Sequence, residues 1–296
     1  MRAKLGDSTP PLHAARTAQR LSSRGRVLGI DVGFSQKRKT TGLCSLWWDE
    51  ESIDWRCEVA GTDEASRLLA LERLTLSRSS VIDAVAIDGP LRPGLVYRVS
   101  YRAAECILSR GKIQRRGKPG PTNGGSGPKL HEAATELAKL SMRHLEVRDT
   151  DVTVKVCPAA IVEAFPNLFL GTLCEESEYP IEPAVHRRWT DTLFPMVTNK
   201  LEAVLVSLLP CRRLDGSLEL EDHEDVAAFA CAITALCVAA GQFEAVGSPD
   251  DGFMVLSAER FWGKRASGLG SWAGFEIERT VEMARESFAT AERRRT

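Results

Sequence analysis

No apolar run in this sequence approaches the roughly 18 residues that a membrane-spanning helix requires, so no helical span is expected. No two of the eight cysteines are separated by two residues, which removes the CxxC zinc and redox signatures. The GxxxxGK[ST] phosphate loop is missing too, since Lys129 is followed by Leu130. Neither sign of charge dominates: 39 Lys and Arg face 40 Asp and Glu, for a net charge of −1. A uniformly basic nucleic-acid coat protein is thereby excluded, whereas a local basic patch is not.

What is present points to a folded enzyme-sized chain. Hydrophobic residues make up 43% and charged residues 27% of the 296 positions, which excludes a disordered or collagen-like protein. Most cysteines lie inside apolar runs, as Cys231 does between Ala230 and Ala232, and read as reduced, buried thiols of a cytoplasmic protein. Residues 1–24 are basic without an apolar segment, and read as a mobile arm rather than a secretory signal. One domain is expected over residues 25–275, with a helical appendage over 276–296.

Short apolar runs with β-branched residues predict strands at 26–31, 41–48 and 53–60, the last two joined as a hairpin by the acidic turn 49–52. A leucine-rich helix over 63–76, a buried strand at 82–88 and a helix over 98–109 follow. Residues 111–129 are rich in Gly, Pro and basic side chains and predict a mobile loop. A helix over 128–147, a strand at 159–165, helices over 184–209, 222–240 and 275–294, and a short strand-like piece at 254–256 complete the chain. A meander followed by right-handed crossovers predicts an α/β fold: a mixed five-stranded sheet of order 3-2-1-4-5, flanked by helices.

Two of the predicted strands end in an acid followed by a turn, at Asp31 and Asp88. Sites in open α/β sheets lie outside the carboxyl ends of the strands, so these carboxylates should converge. Close carboxylates repel unless one is protonated or a hard cation such as Mg²⁺ joins them. Glu163 is a charge inside an apolar strand, facing either the site or solvent at a sheet edge. Asp222 and Asp225 share one face at the start of a helix and serve either as caps or as further ligands. The alanines that follow them let that helix lie close to the sheet; His223 reads as a bystander. Residues 98–118 hold seven basic side chains against the single acid Glu105, and Arg98, Arg102, Arg115, Arg116 and Lys118 are the candidate phosphate contacts. Tyr97 and Tyr101 either stack on bases or pack internally.

Five segments in order carry a resemblance: GIDVG at 29–33, AIDGPL at 86–91, the Arg102/Glu105 pair, IVEAFP at 161–166 and HEDVAAFACAITA at 223–235. Together they resemble the family known as domain of unknown function 429, predicted nucleases of the ribonuclease H-like fold. More distantly, the pattern is similar to RuvC-type Holliday-junction resolvases. The resemblance implies a nuclease of DNA or RNA with a carboxylate-held pair of Mg²⁺ or Mn²⁺ ions. Asp31, Asp88, Asp222 and Asp225 fall on the metal-ligand positions, and Asp31, Asp88, Glu163 and Asp225 are the catalytic candidates. The second acid of the resolvases is usually Glu, and here it is Asp88, followed by Gly89 and Pro90. Two alternatives share the fold: a catalytically silent nucleic-acid-binding or scaffold protein, and an actin- or sugar-kinase-like ATPase, whose first phosphate loop 29–33 resembles.

Overall fold

The computed structural model describes residues 21–35, 38–75, 81–97, 102–178, 189–220 and 222–293, with side chains omitted at 189–193 and 285–293. Three strands come first: β1 (Gly25–Asp31), β2 (Thr41–Trp48) and β3 (Ser52–Ala60). Helix α1 (Glu64–Thr75) leads to β4 (Ala84–Asp88), and α2 (Ala103–Leu108), α3 (Gln114–Gly117) and α4 (Gly127–His144) lead to β5 (Ile161–Ala164). Then follow α5 (Pro166–Leu173), α6 (Trp189–Leu208), β6 (Arg213–Leu214), α7 (His223–Ala239), β7 (Phe243–Ser248), β8 (Gly252–Ser257) and α8 (Trp272–Arg293).

The sheet is mixed and has eight strands in the order β6-β3-β2-β1-β4-β5-β8-β7. The expected run 3-2-1-4-5 lies inside this order, but five strands are too few. Beyond β5 the chain adds the β7–β8 hairpin, with β8 parallel to β5 and β7 antiparallel to β8. Two glycines at positive φ, Gly247 at 148° and Gly252 at 96°, shape its turn. On the other side, β6 extends the sheet by two residues alongside β3.

The pleat sorts side chains onto two faces. Val27, Cys44, Leu46, Ala84, Ala86, Val162 and Ala164 belong to one core, together with Phe229, Ile233 and Leu236 of α7. Leu28, Ile30, Leu43, Val85, Ile87 and Ile161 belong to the other, with Leu71 and Leu74 of α1 and Ala134 and Leu137 of α4. Apolar residues fill both faces of the central strands, which is why these strands read as unbroken apolar runs.

Several boundaries differ from expectation. Residues 1–20 and 98–101 lie outside the described residues. Residues 21–24 are held against the domain: the Ser22 carbonyl accepts from Trp48 Nε1 at 3.0 Å, and the Ser23 carbonyl from Arg212 Nη2 at 3.1 Å. The Gly- and Pro-rich segment 111–129 contains α3 and is pinned by Ile113, Arg116 and Thr122, all buried. Helix α8 is no appendage, because Trp272, Ile277, Val281 and Ala284 enter the main core at helical spacing. Among the described residues, no helix is long and apolar enough to cross a membrane.

Candidate active site

Helix α7 lies on the sheet at backbone distance, and glycine makes this possible. A Cβ added at Gly29 would fall 2.1 Å from both the Ala228 carbonyl oxygen and the Ala232 nitrogen; one added at Gly42 would fall 2.3 Å from the Glu224 carbonyl oxygen. The facing helix residues, Ala228, Cys231, Ala232 and Ala235, are small and buried. Cys231 consequently lies against the backbone of Ile30 and Asp88, directly under the ends of β1 and β4.

At those ends Asp31 and Asp88 are register partners on adjacent parallel strands. Each is in phase with the residues that face α7, namely Gly29 and Ala86, so both carboxyls rise on the same side of the sheet. The two carboxyls lie close enough for each to perturb the other. Burial, then the charges of Asp88 and Glu224, hold the Asp31 carboxyl well above the usual range. Asp88 is pushed up to about 7, by burial first and by the charge of Glu163 second. The two carboxyls titrate as a coupled pair, and both are held above the usual carboxylate range.

The acid that α7 brings toward Asp31 is Glu224, which is not among the expected site residues. Asp225 interacts instead with Asp222, Glu224 and Glu58, on the side of β3. Asp222 is exposed and caps α7 through its carbonyl, which accepts from Val226 N at 3.0 Å. The expected convergence of Asp31, Asp88 and Asp225 is therefore corrected. Among the described residues, no three His, Cys, Asp or Glu side chains close on one metal position. The signal for Glu224 was in the helix: Glu224, Ala228, Cys231 and Ala235 form one face at i, i+4, i+7 and i+11.

Glu163 sits neither at a sheet edge nor among the first two acids. It pairs in register with Ile87 and so faces away from α7. Its Oε2 accepts from Leu91 N at 2.8 Å and from Arg102 Nη1 at 2.6 Å, and its Oε1 accepts from Arg102 Nη2 at 2.8 Å. Arg102 Nε donates to Glu105 Oε1 at 2.8 Å, and Thr122 Oγ1 closes the network against the same oxygen. All four residues are almost fully buried. Two carboxylates around one guanidinium leave a negative excess there; burial raises Glu163 while Arg102 opposes that shift.

The expected phosphate contacts divide accordingly. Arg102 is committed to the buried network. Arg116, 3% exposed, donates to the carbonyls of Gly171, Cys174, Glu175 and Glu176 and lies 4.0 Å from the Trp272 ring centroid. These two arginines are thus corrected from substrate contacts to structural groups. Arg115 and Lys118 are exposed. Arg98 and Tyr101 lie outside the described residues. Tyr97 is 55% exposed, with its ring 5.2 Å from that of His131.

The carboxyl pair gives the protein a pH dependence of definite sign. An unfolded Asp loses its proton near pH 4, whereas Asp88 in the folded pair keeps its proton up to about 7. Between those values the native state binds more protons than the unfolded state, so stability falls as pH rises. In chelator-treated protein, Tm should therefore decline from pH 5 to pH 8, and Asp88→Asn should flatten the decline. A Tm of wild type that climbs across this window would contradict the raised Asp88 carboxyl.

Fold and site together define a mixed α/β protein with a close pair of carboxyl groups at the carboxyl ends of two adjacent parallel strands. Comparison of the chain with protein-family models, with curated proteins and with solved structures gave no match.

Proposed function

We propose that this protein is a divalent-metal-dependent hydrolase of nucleic-acid phosphodiester bonds, built on a ribonuclease H-like sheet. The observation that carries the reading is the Asp31–Asp88 pair, level on two parallel strands, with Glu224 beside it. The strand run 3-2-1-4-5 and the five-segment resemblance support it. The donor set suits a hard cation: two close carboxyl groups that repel when ionised, hold protons in its absence and give them up when it enters. Asp31 and Asp88 would hold Mg²⁺ or Mn²⁺, with Glu224 completing the acidic rim. Such an ion, when bound, activates water and offsets phosphate charge.

The chain's own residues do the rest. Gly29 and Cys231 keep α7 seated so that the two aspartates stay in register. The Arg102–Glu163 network fixes the loop after β4 through Leu91 N. Arg115 and Lys118 are the exposed cations of the basic segment and would meet the phosphate backbone.

The test compares wild type with Asp31→Asn. Wild type should bind Mn²⁺ by calorimetry and cleave a labelled single-stranded, duplex or branched substrate. Asp31→Asn should lose both properties and melt higher than wild type in metal-free buffer, because it relieves the carboxyl repulsion. If wild type binds no divalent ion, or both proteins cleave equally, the silent nucleic-acid-binding reading replaces this one.

A further inference from the structure

Cys44 and Cys57 are register partners on the antiparallel strands β2 and β3. The ladder determines what kind of pair they form. Asp49 N donates to the Ser52 carbonyl at 3.1 Å, so residues 49 and 52 are a hydrogen-bonded pair. Pairing continues from 48↔53 to 41↔60 without a bulge. Hydrogen-bonded and non-hydrogen-bonded pairs alternate along such a ladder, which makes 44↔57 a non-hydrogen-bonded pair. In that setting the Cα atoms are about 4.5 Å apart, inside the range of about 4.4–6.8 Å that a disulfide spans. Burial first, and the neighbouring Cys57 thiol second, hold the Cys44 thiol well above its usual range.

Their surroundings differ. Cys44 is wholly buried in the core under α7. Cys57 is half-buried and reachable from solvent, and its Sγ contacts the Asp225 carbonyl oxygen at 3.9 Å, in the first turn of α7. The other buried thiols lack this combination of an aligned partner and an accessible attacking sulfur.

We propose that Cys44 and Cys57 are a modification site, forming a reversible intramolecular disulfide when the protein meets a peroxide. The Cys57 thiolate attacks one peroxide oxygen, the O–O bond breaks, and hydroxide leaves and is protonated to water. The resulting sulfenic acid is attacked by the Cys44 sulfur, the S–O bond breaks and a second water departs. Two thiols and one H₂O₂ thus give one disulfide and two waters, and a dithiol reverses the change. Oxidation removes the Cys57 contact with Asp225, so the event is registered at the start of the helix that carries Glu224. This inference does not depend on the proposed nuclease activity.

The test uses the full-length protein, reduced and then treated with stoichiometric H₂O₂. Trypsin cleavage after Lys39, Arg56 and Arg67 places the two cysteines on separate peptides, 40–56 and 57–67. Mass spectrometry of a non-reducing digest should find these two peptides linked, with two thiols lost per chain and recovered by dithiothreitol. Cys57→Ser should abolish the link. Cys211→Ser, which removes the exposed thiol, should leave it intact, and this second variant keeps the test decisive if Cys57→Ser folds poorly. Oxidation confined to Cys211, Cys57 recovered as a sulfinic acid, or a link to any other cysteine would overturn the proposal.

Discussion

Arg102→Leu should destabilise this protein by about 3–5 kcal/mol, the cost usually found when one partner of a buried ion pair is removed. For a chain of this size, that lowers Tm by on the order of 10 °C. The substitution strands two carboxylates at once. Glu163 loses donors at 2.6 and 2.8 Å, and Glu105 loses one at 2.8 Å, in an interior where all three side chains are at most 2% exposed. Each acid must then take up a proton or admit water. The loop after β4 also loosens, because the Leu91 carbonyl accepts from Arg102 Nη1 at 3.4 Å while Leu91 N donates to Glu163. Arg102→Lys keeps the charge but not the two-pronged geometry, and should fall between wild type and Arg102→Leu. Adding Glu163→Gln to Arg102→Leu should recover part of the loss, since it removes one orphaned charge. Urea denaturation of the four proteins measures this. An Arg102→Leu variant within about 1 kcal/mol of wild type would mean that the network is hydrated in solution.

Gly29→Ala is the second large effect, produced by one methyl group. The new Cβ would need to occupy space 2.1 Å from two backbone atoms of α7. Backbone in the middle of a buried helix cannot rotate away as a side chain can. The helix must lift, and with it go the packing of Phe229 and Ile233 and the seat of Cys231 under the aspartates. The expected loss is about 3 kcal/mol or more, at the upper end of overpacking costs. Gly120→Ala is the control, because nothing lies within 4 Å of a Cβ there; it should change stability by no more than about 0.5 kcal/mol. Equal melting curves for the two variants would show that α7 stands further from β1 than described. A loss of Mn²⁺ binding in Gly29→Ala, at a temperature where it remains folded, would connect the helix seat to the carboxyl pair.

The central strands were readable because they are buried on both faces. Val27–Ile30 and Ala84–Ile87 are unbroken apolar runs, and each ends at an acid before a turn. Strand β7 was not readable, since FEAVGS carries Glu244 and three small residues and shows neither alternation nor an apolar run. Strand β6 is two residues long and exists through its neighbour alone. The site divides in the same way. Strand ends fix Asp31 and Asp88, whereas choosing between Glu224 and Asp225 requires the rotation of α7, and one residue on a helix turns the side chain by about 100°. Charge in the sequence carries no depth. Arg102 and Arg116 read as cations offered to a partner, and both are buried on internal acceptors. The spacing of Arg102 and Glu105, three residues apart, was the available hint that this arginine was already engaged.

The two ends of the sheet face the problem of unwanted association differently. Strand β7 is buried along its whole length, so that margin is closed to another chain. At the other margin β6 covers only Ser52 and Ile53 of β3, and among the described residues no strand pairs with the outer edge of 54–60. An open ladder of that length is a template on which a second molecule can pair. Here it carries Asp54, Arg56 and Glu58 in alternation, with Arg56 and Glu58 bridged at 2.7 Å. A strand docking against it would have to strip water from those charges, which discourages aggregation and fibre growth from this margin.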